Sequence, residues 1–270
     1  MNLKEKSWGN LPVKDVFKKA IELRQQGIPA ALVTVIATKG STPRSVGTKM
    51  IVLADGTIFG TVGGSSVESL LIEESKNCLQ NGECQRVSHN LDDTERKDTG
   101  MICGGVMEFF IEPLLPSPQL YIFGAGHVAL PLAQLAAQVG FSYSIIDDRE
   151  DFATRDRFPG AKELLVGSLK DIALQIPIKP TDFIAIVTRS HDQDYLALRE
   201  VLKKNPKYIG VIASKAKKKQ IFTRLGEEGF SKELINYIHS PIGLDIEAET
   251  PQEIAVSIVA ELIQVKNQKS

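Results

Sequence analysis

Cys103 stands directly before Gly104 and Gly105 and ahead of an alternating apolar run, in TGMICGGVMEFFIE at residues 99–112. Three chemistries are open to such a thiol. It can pack as a small hydrophobe, bind a metal as a soft thiolate, or relay sulfur with a pKa lowered by nearby N–H groups or by Arg44. Cys78 falls in a helical stretch and Cys84 in a polar turn, neither with comparable glycines. Two further glycine-rich segments, Gly40-Ser-Thr-Pro-Arg-Ser-Val-Gly47 and Gly63-Gly64-Ser-Ser-Val-Glu68, hold Arg44, precede Lys49 and open a helix. They are suited either to plain turns or to cradling an anion through N–H donors and a planar guanidinium. A fourth group is Gly124-Ala-Gly126-His-Val-Ala129, with Asp147 some 20 positions on. Farther along, His191 and Asp194 are spaced to form an acid–base or orienting pair, or His191 simply caps a helix.

The elements around Gly124 form a clear pattern. Leu120 to Phe123 is a short apolar strand, Ala129 to Val139 an apolar helix ending at Gly140, and Phe141 to Ile146 a second strand ending in Asp147-Asp148-Arg149. In strand–turn–helix–strand order, Gly124 permits the tight turn, Gly126 lets backbone approach a pyrophosphate, and the helix N-terminus offers N–H groups to phosphate. Asp147 favours a ribose 2′-hydroxyl over a 2′-phosphate, while Arg149 keeps the phosphorylated cofactor open. Asp182 to Thr188 and Tyr208 to Ile212 extend the alternation, so a doubly wound parallel sheet is expected, or the same domain with its turn kept for packing alone. Thr250-Pro-Gln-Glu253 predicts a capped helix start, and the preceding stretch from His239 to Ile246 reads as a loop or plain connector.

The first half predicts a helix from Val13 to Gln26, a strand from Ala30 to Ala37, and a hairpin of Lys49 to Leu53 with Thr57 to Val62 around Asp55-Gly56. Three prolines between Pro113 and Pro118 oppose both helix and central strand. The expected division is therefore a smaller α+β domain over residues 1–116 and a Rossmann-like domain over 117–270. The chain of 270 residues, with 43% apolar composition and net charge −1, can bury a substantial core. It carries no general electrostatic footprint for nucleic acid or membrane, and Lys215, Lys217, Lys218 and Lys219 read as a solvated helix face. No run reaches the roughly 18 to 20 apolar residues that span a bilayer, the first residues lack a signal-peptide pattern, and three cysteines form no CxxC pair. The expected compartment is the cytoplasm, with the cysteines as thiols.

GSTPRSVGTKM, GTVGGSSVE, MICGGVMEFFIEP, FGAGHVALPLAQLAAQVGF, DDR, TRSHDQD, YIGVIAS and HSPIGLDIEAETPQEIAVSIVAEL occur in this order along nearly the whole chain. Together they resemble the XdhC/CoxI family of accessory proteins for molybdenum hydroxylases such as xanthine dehydrogenase. The resemblance implies a small N-terminal domain, a C-terminal Rossmann domain, and a role in binding, protecting, sulfurating and inserting molybdenum cofactor, with a cysteine desulfurase as partner. It also implies a place in purine catabolism. Carried over by position, it implicates Gly40, Ser41, Thr42, Arg44, Gly63, Gly64, Glu68, Cys103, Gly104 and Gly105 in the first domain. In the second it implicates Gly124, Gly126, His127, Asp147, His191, Asp194, Pro241, Gly243 and Asp245. Cys103 becomes the leading candidate for contact with molybdenum. Ser65, Ser190 and Ala213 replace glycines of the family pattern, which puts the ligand fit in question more than the family. The competing readings are an NAD(P)-dependent oxidoreductase and a nucleotide-binding subunit. A homodimer is expected, because closure across a two-fold would unite site residues split between two domains.

Overall fold

The computed structural model describes residues 13–91, 105–189 and 191–268. Cys103, Gly104 and Ser190, together with the side chains of Val13, Lys14, Ser65 and His191, lie outside the described residues. The chain divides into two compact units, Met1–Pro116 and Ser117–Ser270.

The first unit runs α1 (Val13–Gln25), β1 (Ala30–Gly40), β2 (Lys49–Leu53), β3 (Ile58–Gly60), α2 (Ser65–Asn81), β4 (Gln85–Asn90) and β5 (Gly105–Leu114). Its strands form one antiparallel sheet in the order β3-β2-β1-β5-β4. The two-residue period of β1 sends alternate side chains to opposite faces. Ala30 and Leu32 meet Val16 and Leu23 of α1, while Ala31, Val33 and Val35 meet Val67, Leu71 and Cys78 of α2. A bulge between Val35 and Ala37 shifts the register with β5, so that Gly40 ends opposite Gly105. The second hairpin strand is shorter than its apolar pattern predicts. It stops at Gly60, where the chain turns toward α2 instead of continuing to Val62.

The second unit runs β6 (Gln119–Phe123), α3 (Ala129–Gln138), β7 (Ser142–Asp147), β8 (Leu164–Val166), α4 (Leu169–Gln175), β9 (Phe183–Ile186), α5 (His191–Leu202), β10 (Tyr208–Val211), α6 (Lys215–Glu227), α7 (Lys232–Asn236), β11 (Ile238–His239) and α8 (Pro251–Asn267). Six parallel strands lie in the order β11-β10-β9-β6-β7-β8. The strand order reverses between β6 and β9, which creates the switch-point crevice of a doubly wound Rossmann sheet. Every residue of β6, β9 and β10 is buried, as expected where helices cover both faces. Residues of α3 and α8 cover one face, and those of α4, α5, α6 and α7 the other. Burying a side chain such as Leu132 or Leu198 stabilises the unit by about 1.5–3 kcal/mol. The start of α8 is the capping box read from TPQE: Thr250 Oγ1 accepts from Glu253 N at 3.3 Å, and the Glu253 carboxylate accepts from Thr250 N at 2.9 Å.

Candidate functional site

The first unit brings three of the glycine segments together. Gly40 and Gly105 are register partners at the end of the β1–β5 ladder. A Cβ added at Gly105 would stand 2.6 Å from the Ser41 carbonyl oxygen and 2.7 Å from that of Lys39, so only glycine lets this loop lie against β5. A Cβ at Gly63 would meet the Pro43 ring at 3.5 Å, which seats the second glycine loop against the first. Thr42 Oγ1 donates to the Arg44 carbonyl at 3.2 Å and Thr48 Oγ1 to the Ser45 carbonyl at 2.8 Å, so the 40–48 loop is closed by its own hydroxyls.

Gly64 is the N-cap of α2 and supplies no side-chain cap, and a Cβ there would meet nothing within 4 Å. This helix start therefore offers backbone N–H donors and open space to an anion. Glu68 sits in the first turn and accepts a hydrogen bond from Thr61 Oγ1, which fixes the carboxylate beside the loop. Lys49, just after the first glycine loop, engages β1 and α1. Its ammonium donates to Thr34 Oγ1 at 2.9 Å and lies 5.6 Å from the centroid of Phe17 on α1, so it serves the α1 face and not the anion cradle.

In the second unit, Gly124 follows β6 with φ +106°, and a Cβ there would lie 2.7 Å from the Val187 carbonyl oxygen. The turn thus needs glycine twice over, for its dihedral and for its contact with the end of β9. At Gly126 an added Cβ would meet nothing within 4 Å, so the backbone there is open to a ligand. His127 is exposed, and α3 begins two residues later without a side-chain cap.

Asp147, 3% exposed, closes this turn from β7. Its Oδ2 accepts from Ala125 N at 2.6 Å and from Arg149 Nη2 at 2.9 Å; its Oδ1 accepts from Arg149 N at 3.0 Å and Nε at 2.8 Å. Burial pushes the carboxyl up, but these donors overrule it and hold its pKa at about 2.

Asp194 is fully buried in α5, and its described partners come from elsewhere than His191. It accepts from Thr188 Oγ1 at 2.5 Å and from the Lys217 ammonium, which also donates to the Ile212 carbonyl at 3.3 Å. Burial raises the Asp194 carboxyl, against the pull of Lys217 and Thr188. Lys217, expected on a solvated helix face, is instead buried; Lys215 and Lys219 are exposed. A lysine at the start of α6 can turn under the sheet edge, where the desolvated Asp194 supplies the compensating charge.

The loop from Pro241 to Asp245 is anchored from below. Gly243 N donates to Glu261 Oε2 at 2.8 Å, and Ser257 Oγ to the Leu244 carbonyl at 2.5 Å. Glu261 also accepts from Tyr208 Oη, and His239 Nδ1 lies 2.9 Å from its Oε1. Pro241 and Asp245 are exposed on this base. Lys217, Thr188 and Glu261 join these sites without being expected there from the sequence. Only Glu261 left a signal, as a carboxylate one turn from Ile258 on the apolar face of α8.

Comparison with known proteins agrees with this architecture. The family description "XdhC Rossmann domain" matches residues 120–262, and "XdhC and CoxI family" matches residues 23–90. The uncharacterized protein YqeB of Escherichia coli K12 is 36% identical over 254 residues, covering 94% of this chain and 46% of that protein. A probable xanthine dehydrogenase subunit of Bacillus subtilis 168 is 34% identical over 157 residues, covering 58% of this chain and 46% of that protein. The chain thus spans about half the length of these two curated relatives. The molybdenum cofactor insertion chaperone PaoD of Escherichia coli K12 is 22% identical over 305 residues, covering 94% of this chain and 88% of that protein. A crystal structure of a xanthine dehydrogenase from Bacillus halodurans superposes with a TM-score of 0.52 at 24% identity, covering 91% of this chain and 95% of that one, and so shares the fold. Among the described residues no helix is long and apolar enough to cross a membrane. With the Rossmann-domain description alone spanning more than half of its length, the chain belongs to the XdhC and CoxI family.

Proposed function

We propose that this chain is an accessory protein of a molybdenum hydroxylase of the xanthine dehydrogenase type. It binds molybdenum cofactor as cargo, shields it, takes part with a cysteine desulfurase in its sulfuration, and hands it to the apoenzyme, in the setting of purine catabolism. The observation that carries this reading is the convergence in the first unit of Gly40 with Gly105, and of Gly63 with Pro43, beside the open start of α2. The phosphate arm of a pterin cargo fits N–H donors at Gly64 and the following turn, with Ser41 to Arg44 as the second wall. Cys103 and Gly104 immediately precede Gly105, and the thiol serves as metal ligand or sulfur carrier. Two relatives support this direction, the one named as a molybdenum cofactor insertion chaperone and the one named as part of a probable xanthine dehydrogenase.

The second unit carries a nucleotide at the Gly124–Ala129 turn, a reading favoured by the open backbone at Gly126. Asp194, Lys217 and Thr188 hold the end of β9 against that turn, and the Pro241–Asp245 loop lies on the rigid base of Glu261. A homodimer completes the proposal, with light scattering as its check. The function is tested by reconstituting a molybdenum-free xanthine dehydrogenase-type apoenzyme with molybdenum cofactor, with and without this protein. A higher yield of active hydroxylase is expected with it. No difference contradicts the chaperone role, and steady oxidation of NADH by the protein alone replaces it with the oxidoreductase reading.

A further inference from the structure

The ribose-reading position at the end of β7 is already filled from within the chain. An ionised carboxylate offers about four lone-pair sites, and Asp147 accepts four N–H groups, one from Ala125 and three from Arg149. At 3% exposure it presents no unused acceptor to a ribose diol. What faces outward at this point is Arg149, whose side chain is 24% exposed.

Two contacts hold that guanidinium in place. Nε and Nη2 fork onto Asp147, and the Arg149 Cζ lies 3.6 Å from the centroid of the Phe152 ring. A guanidinium has five N–H donors; one each from Nε and Nη2 goes to Asp147, and the other three make no hydrogen bond among the described residues. Arg157 adds a second guanidinium 4.9 Å from the same ring centroid. The neighbouring Asp148 has Oδ1 3.9 Å from Arg149 Nε, a loose ion pair, while its Oδ2 accepts from Arg189 Nη2 at 3.1 Å and Gln193 Nε2 at 2.7 Å. Glu150 and Asp151 are exposed, where salt screens them.

We propose that the Rossmann unit reads an anionic substituent on the ribose of its nucleotide, a 2′-phosphate, through the Arg149 guanidinium. Asp147 acts as a positioning residue, holding Arg149 over the Phe152 ring and tying it to the glycine turn through Ala125. The proposal rests on the nucleotide reading of the Gly124–Ala129 turn given above. It reverses the preference for a 2′-hydroxyl that an acidic residue at this position signals in a sequence.

Isothermal titration of the full chain with NADP+ and NAD+ tests it, with adenosine 2′,5′-bisphosphate and 5′-AMP as fragments that locate the effect on the ribose. NADP+ is expected to bind about tenfold or more tighter than NAD+, the size of one charge-assisted hydrogen-bonded contact. Arg149→Ala removes the phosphate donors and uncovers the Asp147 carboxylate, so NADP+ weakens while NAD+ holds or gains. Arg149→Gln, which can still donate to Asp147 but carries no charge, gives the same loss where the alanine variant does not fold. Wild-type protein binding NAD+ as tightly as NADP+ overturns the proposal alone. A preference for NADP+ that survives both substitutions removes Arg149 as the reader. Binding of neither dinucleotide nor fragment overturns the nucleotide reading together with it.

Discussion

The Lys217 ammonium donates to Asp194 Oδ2 across 23 residues of chain, pinning the start of α6 to the start of α5 inside the protein. Asp194 is fully buried, and Thr188 bonds its other oxygen, so the pair also fixes the end of β9. Val187 and Thr188 are the residues against which the Gly124 turn is packed. One buried ion pair thus backs the turn expected to hold a nucleotide phosphate.

Removing either partner strands a charge in a low-dielectric site. Lys217→Met or Asp194→Leu is expected to destabilise the protein by about 3–5 kcal/mol, while the double variant recovers much of the loss because nothing charged is left behind. Urea unfolding of the four proteins measures this as a double-mutant cycle. Additive losses, with the double variant worst of all, would show that the pair is not a coupled unit.

Gly124 and Gly126 look alike in sequence but not in space. Gly124→Ala is expected to cost about 2 kcal/mol or more, since the methyl meets the Val187 carbonyl at 2.7 Å in a strained dihedral. Gly126→Ala meets nothing in the protein, so stability should change by no more than about 0.5 kcal/mol while nucleotide affinity drops. Thermal melts and nucleotide titration separate the two effects. A Gly126→Ala variant with unchanged affinity would place the phosphate elsewhere.

Asp147 gives a pH signature. Its folded pKa of about 2 lies below the ordinary value of 3.8, so the native state holds fewer protons there than the unfolded chain. The stabilisation, on the order of 2 kcal/mol, is complete above the unfolded pKa and is lost as pH falls through the folded one. Between those limits the stability gap between wild type and Asp147→Asn should therefore narrow toward acid pH. Denaturant midpoints at several pH values check this, and a constant gap would contradict it.

The parallel sheet was legible because its strands are buried on both faces and read as unbroken apolar runs, and because TPQE and the glycine turns punctuate them. The hairpin around Asp55-Gly56 was legible too, although local pattern could not say that β3 would stop at Gly60. Short elements such as β8 and β11 carry no period long enough to detect. Lys217 was invisible for another reason. In a run of lysines, burial depends on a carboxylate 23 residues away, and no local rule reports it. Lys49 shows the same limit: its neighbours in sequence are the glycine loop, but strand alternation turns it to Thr34 and Phe17. At Asp147 the carboxylate at the strand end was legible, but not its engagement by Arg149 two residues on.

The most direct test of the proposed function is molybdenum content. Purified protein incubated with molybdenum cofactor and passed through a sizing column should carry stoichiometric molybdenum by elemental analysis, and Cys103→Ala should carry much less. Equal retention in both would remove Cys103 from the site. Wild-type protein that elutes without molybdenum would contradict the account.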